Sequence, residues 1–175
     1  MTIIVILIFL VVLLFGIVVF RGSPYVPSQT AHVRAAFSKL YQLGENDLLV
    51  DIGSGDGVIL REAAKTGARA VGYEINPILV LISRFACRKY KNIQVKLADF
   101  WFANLPDEVT VVYVFSVTRD VKKIINHIQS ESNRLNREIY IIGYGSEFDE
   151  IKSIKNVGPH FLYLVKPLQS GKAQV

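Results

Sequence analysis

Short apolar runs alternate with amphipathic segments along most of the chain. Six runs of four to nine residues predict buried strands at 48–52, 71–74, 93–98, 109–117, 138–143 and 161–165. Between these runs, apolar residues recur at helical spacing in 58–64, 77–90 and 118–135. Because strands and helices alternate, the pattern predicts an α/β fold with a doubly wound, mostly parallel sheet.

The first twenty residues form a separate apolar segment. Residues 2–20 carry no charge and consist almost entirely of Ile, Val, Leu and Phe. A run of about 18 to 20 apolar residues is long enough to cross the hydrocarbon core as a helix. The basic n-region and the small-residue cleavage site of a signal peptide are missing, since Arg21 follows the run directly. The segment therefore predicts one permanent transmembrane anchor at 1–20.

Charges on the two sides of this segment predict its orientation. Apart from the N-terminal amine nothing basic precedes it, whereas Arg21, Arg34 and Lys39 follow it. The positive-inside rule then places the rest of the chain in the cytoplasm, or in the matrix if the membrane is mitochondrial. We therefore expect a single-pass membrane protein with the membrane among its partners.

The rest of the chain predicts a linker, one domain and a tail. Residues 21–27 contain two prolines and predict an extended juxtamembrane linker. Ser28 is a candidate N-cap for a helix that ends by Gly44, with Ala31, Ala35 and Leu40 packed inward. Residues 28–168 suit a single domain, and the polar residues 169–175 predict a frayed tail.

A ligand site is predicted where the strand at 48–52 ends. Asp51 lies in this strand, and the loop that follows is rich in small residues, namely Gly53, Ser54, Gly55 and Gly57. Glycines let the backbone turn sharply and approach a ligand at the carboxyl end of a parallel sheet. The next strand ends on Glu74, and a carboxylate at that place in such folds accepts hydrogen bonds from ribose hydroxyls. The sequence therefore predicts a nucleoside-derived ligand.

The glycine spacing distinguishes between kinds of nucleotide site. A dinucleotide fingerprint reads G-x-G-x-x-G, whereas Val58 stands here in place of the third glycine and the pattern is D-x-G-x-G-x-G. This pattern resembles motif I of the class I S-adenosylmethionine-dependent methyltransferases. The resemblance implies a Rossmann-like sheet of the seven-stranded methyltransferase type with an antiparallel last strand. It also implies S-adenosylmethionine as cofactor, with Asp51 at its ammonium group, Glu74 at the ribose and Asp99 at the adenine amino group.

A narrower resemblance rests on the apolar N-terminus and on four short stretches. These read Pro-Tyr-Val-Pro at 24–27, Asp-Ile-Gly-Ser-Gly-Asp-Gly at 51–57, Tyr-Glu-Ile-Asn-Pro at 73–77 and Asp-Phe-Trp at 99–101. The combination is similar to the small membrane-associated protein-lysine methyltransferases that act in mitochondria on the ATP synthase c-subunit and the adenine nucleotide translocase. It implies a lysine of an integral membrane protein as acceptor. That family usually has a basic residue where this chain has Val58.

Aromatic residues beside the expected cofactor are candidates for the acceptor end of the site. Phe100 is expected to cover adenine and Tyr25 to close the site, while Trp101 either lines the acceptor channel or packs in the core. Tyr25, Asp99 and Trp101 are therefore the candidate catalytic residues. Residues 115–118 read Phe-Ser-Val-Thr instead of Asn-Pro-Pro-Tyr or Asp-Pro-Pro-Tyr, which argues against methyltransferases of DNA bases or glutamine.

Charge, cysteine and histidine content narrow the possible partners. The net charge is +5, and the densest basic group contains Arg84, Arg88, Lys89 and Lys91. This group is either a solvated helix face or a contact for anionic lipid headgroups. The sequence has no basic stripe interleaved with aromatic residues, so a nucleic-acid partner is not predicted. The single cysteine, Cys87, excludes an internal disulfide and is expected in the core. The three histidines lack metal-ligand spacing, so no metal is predicted.

Three functional classes remain open from the sequence. The first is a membrane-anchored protein-lysine methyltransferase, and the second is a methyltransferase of a lipid or quinone. The third is a non-catalytic cofactor-binding protein that kept the fold. The complete set of acids at the expected cofactor, Asp51, Glu74 and Asp99, weighs against the third class.

Overall fold

The computed structural model describes residues 1–6, 9, 29–115 and 120–168. Within these ranges no helix is long and apolar enough to cross a membrane, which corrects the predicted single-pass localisation. Residues 7, 8 and 10–20 of the predicted anchor and the whole linker with Tyr25 lie outside the described residues.

Seven strands form one sheet in the described part of the chain. They are β1 (Leu48–Ile52), β2 (Arg69–Glu74), β3 (Ile93–Leu97), β4 (Val111–Phe115), β5 (Ile139–Tyr144), β6 (Lys155–Val157) and β7 (His160–Val165). Their order across the sheet is β3-β2-β1-β4-β5-β7-β6. Strands β1 to β5 pair in parallel, whereas β7 runs antiparallel to both β5 and β6. The predictions of a doubly wound, mostly parallel sheet and of an antiparallel last strand are confirmed.

The short edge strand β6 was not predicted from the sequence. It has only three residues, and two of them are exposed, so no apolar run marks it. It forms because Lys155–Val157 pairs with the first half of β7 across a tight turn. The turn contains Gly158, whose φ of 57° lies in the left-handed region.

The helices that flank the sheet follow the predicted periodicity with adjusted ends. They are α1 (Thr30–Ala35), which continues as a π-helical turn (Ala36–Leu40), α2 (Val58–Lys65), α3 (Pro77–Cys87) and α4 (Val121–Leu135). A 3₁₀ turn (Phe100–Phe102) follows β3. Helix α3 stops at Cys87 instead of 90, and the chain turns there with Tyr90 N–H donating to the Cys87 carbonyl at 2.9 Å.

Helix α1 differs from its prediction at its start and on its buried face. Its N-cap residue is Gln29, which makes no side-chain capping hydrogen bond, and the predicted cap Ser28 lies outside the described residues. Ala31 is exposed, whereas Val33 and Phe37 are buried. The buried residues Val33, Ala36, Phe37 and Leu40 recur at helical spacing, so the inward face is offset from the predicted one and Ala31 lies outside it.

Two apolar layers cover the two faces of the sheet. On one face α1, α2 and α3 pack against alternate residues of the central strands, such as Leu49 and Val111. On the other face α4 and the 3₁₀ turn pack against their neighbours in the strands, such as Val50 and Val112. This arrangement buries Cys87, as expected, in the first layer.

The strand order places a crevice at the carboxyl end of β1. The chain moves outward from β1 through β2 to β3, and it then returns to the other side of β1 to form β4. Ligands of open α/β sheets bind at such a switch point, outside the carboxyl ends of the strands. The loop at 53–57 lies at this place, directly after β1.

Candidate cofactor site

The loop after β1 has a backbone that only glycine accommodates without strain. Gly53, Gly55 and Gly57 have φ angles of 73°, 53° and 78°, all in the left-handed region that disfavours residues with a Cβ. A Cβ on Gly57 would also collide with the hydroxyl of Ser83 on α3. A Cβ on Gly53 would meet nothing within 4 Å. The loop is therefore packed tightly against α3 at its end and open at its start.

The end of β2 holds this loop in position. The Gly53 and Ser54 N–H groups donate to the Tyr73 carbonyl at 2.9 and 3.0 Å. The Gly55 N–H donates to Glu74 Oε2 at 2.9 Å, and the Asn76 N–H donates to Glu74 Oε1 at 2.8 Å. Each oxygen of the Glu74 carboxylate thus fixes one backbone segment. Since an ionised carboxylate offers about four lone-pair sites, acceptor capacity remains for ribose hydroxyls.

Asn76 links the same acid to the start of α3, which the sequence reading missed. Its side chain is buried, and its Oδ1 accepts from the Ile78 and Leu79 N–H groups at 2.9 and 3.4 Å. Pro77 stands at the first helical position, as predicted. An asparagine directly before a proline that opens a helix is the available signal, because asparagine is among the best N-cap residues.

Asp51 and Ser54 are buried polar residues of the crevice that each have an oxygen without a hydrogen-bond partner among the described residues. The Asp51 side chain is 3% exposed, and its unpartnered oxygen is Oδ2. Burial, followed by the negative charges of Glu74 and Asp56, raises the pKa of Asp51 to about 8. A buried carboxylate in this condition favours a cationic partner. The ammonium group of the methionine portion of S-adenosylmethionine would be such a partner, so the residues present fit the cofactor.

Asp99 begins the 3₁₀ turn after β3. It is exposed, and its Oδ1 accepts from the Trp101 N–H at 3.0 Å. Phe100 is buried in the second layer, with its ring centroid 6.2 Å from Tyr73 and 4.7 Å from His127. The half-buried Trp101 carries the Lys123 ammonium 3.9 Å from its ring centroid.

The predicted site residues thus converge, although their roles remain predictions. The structure brings Asp51, the glycine loop and Glu74 to one crevice through the parallel pairing of β1 with β2. Asp99 follows the next strand, which pairs with β2 on its other side. Tyr25 lies outside the described residues, so the structure does not test its role. Among the described residues, no cluster of histidine, cysteine and acidic side chains could hold a metal ion.

A buried pair near the same edge was also missed by the sequence reading. Tyr113 lies beside Asp51 in the register of β1 and β4, and its hydroxyl is hydrogen-bonded to His160 Nε2 at 2.8 Å. Both side chains are buried. Burial, with a smaller contribution from His32, lowers the pKa of His160 to about 4, so the imidazole is neutral at physiological pH.

Known proteins resemble this chain over the same region. A family model described as the ANTKMT methyltransferase domain matches residues 51–149. The ATP synthase c-subunit lysine N-methyltransferase of Xenopus laevis is 36% identical over 111 residues, which are 62% of this chain and 48% of that protein. The ribosomal RNA small subunit methyltransferase A of Thermotoga maritima is 40% identical over 70 residues, 39% of this chain and 25% of that protein. The chain spans about half the length or less of these curated relatives.

A solved structure gives the same fold. An RNA methyltransferase from Salinibacter ruber, in complex with S-adenosyl-L-homocysteine, superposes with a TM-score of 0.71 at 24% identity. The match covers 84% of this chain and 97% of that one. The family model covers more than half of the chain. The chain therefore belongs to the ANTKMT methyltransferase domain family, and its predicted cofactor, S-adenosylmethionine, is that of these S-adenosylmethionine-dependent methyltransferases.

Proposed function

We propose that this methyltransferase transfers a methyl group to the side-chain amine of a protein lysine. The observation that carries the cofactor half is the buried, unpartnered Asp51 carboxylate beside the left-handed glycine loop. The acceptor half is supported by the relatives named as lysine N-methyltransferases of the ATP synthase c-subunit, which align over 111 residues at 33% to 36% identity. The ATP synthase c-subunit is accordingly the first acceptor to test.

Four parts of the chain would hold S-adenosylmethionine. Asp51 would pair with its ammonium group, and the loop at 53–57 would pack against its methionine portion. Glu74 would accept from the ribose hydroxyls, and Asp99 from the adenine amino group, with Phe100 beside the base. When bound, the cofactor would supply the methyl group of its sulfonium for an in-line displacement by the acceptor amine, with the thioether S-adenosylhomocysteine as the leaving group.

At the acceptor end of the site, the protein must favour the neutral lysine amine and align it with the cofactor. A lysine must lose its proton before it can attack, and removal from water lowers its pKa and favours the neutral amine. Trp101 and Tyr25 are proposed to line and close the acceptor end, where they would exclude water and align the amine with the sulfonium. The proposed domain comprises residues 28–168.

Transfer of label from S-adenosylmethionine tests this proposal. The full-length protein is incubated with labelled cofactor and a membrane extract, and protein, lipid and RNA fractions are then separated. We expect label in protein and, after hydrolysis, in methyl-lysine. A Glu74→Gln variant serves as control and should lose most of the label. Label found only in the lipid fraction would replace the lysine assignment with the lipid or quinone alternative, and label only in RNA would also refute it.

A further inference from the structure

The outer face of α3 exposes more apolar surface than is usual for a helix face in contact with water. Leu81, Ile82 and Phe85 are 65%, 48% and 70% exposed. The buried residues of this helix are only Val80, Ser83 and Cys87. A helix that is apolar on nearly all sides is normally covered on all sides. Among the residues that the structure describes, the sheet and α2 cover only the inner face of α3.

Charge on this part of the chain is entirely of one sign. Between Glu74 and Asp99 there is no acidic residue, whereas five residues are basic: Arg84, Arg88, Lys89, Lys91 and Lys96. The Arg88 guanidinium lies 4.0 Å from the Phe85 ring centroid and donates to the Phe85 carbonyl. Arg84 donates to the Val95 carbonyl of β3 at 3.0 Å, which ties the helix to the edge strand of the sheet. Cations therefore border the exposed apolar side chains.

We propose that Leu81, Ile82 and Phe85, with Arg88 on the Phe85 ring and the exposed Lys89 just after the helix, form a contact surface for an anionic lipid layer, here named the α3 patch. Apolar side chains on a helix flanked by Lys and Arg match the boundary between acyl chains and negatively charged headgroups. This contact would be a reversible one made by the folded domain, and it does not depend on the proposed acceptor.

The charges on the α3 patch disfavour two other occupants. A symmetric dimer through α3 would bring like charges face to face, because each copy contributes the same patch. Nucleic acid would pair with the cations and could stack a base on Phe85, but it would leave the exposed aliphatic side chains Leu81 and Ile82 in water. A lipid layer satisfies both the apolar and the basic parts of the surface.

A polarity-sensitive fluorophore on the α3 patch tests the proposal in the full-length chain. Ile82→Cys provides the attachment point, since the one native cysteine, Cys87, is buried. Ile154→Cys is the matched control, because Ile154 is 57% exposed on a different part of the domain. We expect a blue shift at position 82 with phosphatidylcholine vesicles that contain phosphatidylserine, no shift with phosphatidylcholine alone, and none at position 154.

Neutralising two lysines at and next to the α3 patch measures how much of the vesicle binding is electrostatic. Lys89→Gln combined with Lys91→Gln should weaken vesicle binding at position 82 by about 25-fold, because each cation near the surface contributes about fivefold. Lys152→Gln, an exposed lysine elsewhere, should leave binding unchanged. The proposal would be overturned if both labels shifted equally or if position 82 showed no shift. It would also be overturned if the shift at position 82 were the same with and without phosphatidylserine. The same shift with polyglutamate alone would replace lipid with an acidic protein as the partner.

Discussion

The Asp51→Asn substitution tests whether Asp51 is a buried carboxyl group whose ionised form lacks a cationic partner in the ligand-free protein. Burial and two neighbouring acids raise the pKa of its carboxyl to about 8 from 3.8. A carboxyl with a raised pKa binds its proton more tightly in the folded chain than in the unfolded chain. The folded protein therefore loses stability as the pH rises from about 4 to about 8. A shift of about four units corresponds to roughly 5 kcal/mol at most.

Asparagine keeps the shape of the side chain and removes this pH-dependent cost. We expect ligand-free Asp51→Asn to be more stable than the wild type by about 2 kcal/mol or more near pH 8, and by much less near pH 5. Urea unfolding at both pH values measures the free energy of unfolding. Asp149→Asn, which changes an exposed carboxylate, is the control and should show no such difference. Equal stability of Asp51→Asn and the wild type near pH 8 would refute a raised pKa of the Asp51 carboxyl in the folded protein.

The same substitution should weaken cofactor binding and remove its pH dependence. In the wild type the Asp51 proton must leave before an ammonium group can pair with the carboxylate. The affinity for S-adenosylhomocysteine should therefore rise about tenfold per pH unit between about pH 6 and pH 7, below the range where an α-amino group itself titrates. Calorimetry in two buffers counts the released proton, which should be close to one. A flat affinity with no proton release contradicts the assignment.

Three further substitutions probe the loop, the ribose acid and the buried pair. Gly57→Ala should lower the free energy of unfolding by more than about 1 kcal/mol, because its φ is positive and its Cβ has no room; in urea titrations Gly44→Ala, where a Cβ meets nothing within 4 Å, should cost less. Glu74→Gln should weaken S-adenosylhomocysteine binding by about 1–3 kcal/mol in calorimetry, since an amide cannot accept from two backbone N–H groups and ribose as a carboxylate does; unchanged affinity would remove Glu74 from the site. Tyr113→Phe should cost about 1–3 kcal/mol in thermal or urea unfolding, because His160 Nε2 would be buried without its partner, and a neutral result would mean that water replaces the hydroxyl.

The sequence predicted the part of the fold that depends on local pattern. Strand β1 and the start of α2 lie at their predicted residues, because a continuous apolar run and a glycine-rich turn are local signals. The acids Asp51 and Glu74 were placed correctly at strand ends for the same reason. Because β1 and β2 pair in parallel, their carboxyl ends lie next to each other, so no long-range contact had to be predicted to bring Asp51 and Glu74 together.

The rest depends on contacts between distant residues. The hydrogen bond between Tyr113 and His160 joins positions 47 residues apart, and it exists because β7 inserts antiparallel beside β5. No spacing rule in the sequence predicts which residue of β7 will lie near Tyr113. The prediction placed Ala31 on the inward face of α1, whereas the buried face contains Val33, Phe37 and Leu40. Which face of a helix is covered depends on how the helix packs on the sheet, and that is a contact between distant parts of the chain.

Asp51 and Glu74 have opposite requirements in the same crevice, and this difference suggests how the site works. Glu74 already accepts two backbone hydrogen bonds, so the ribose side of the loop is formed before any ligand arrives. Asp51 has an unpartnered oxygen and a raised pKa, so the methionine side is electrostatically incomplete until a cation pairs with it. Ligand binding should thus stabilise the protein chiefly by relieving Asp51. It follows that S-adenosylhomocysteine should raise the melting temperature of the wild type more than that of Asp51→Asn, even where both are saturated, and an equal rise would place the main stabilising contact elsewhere.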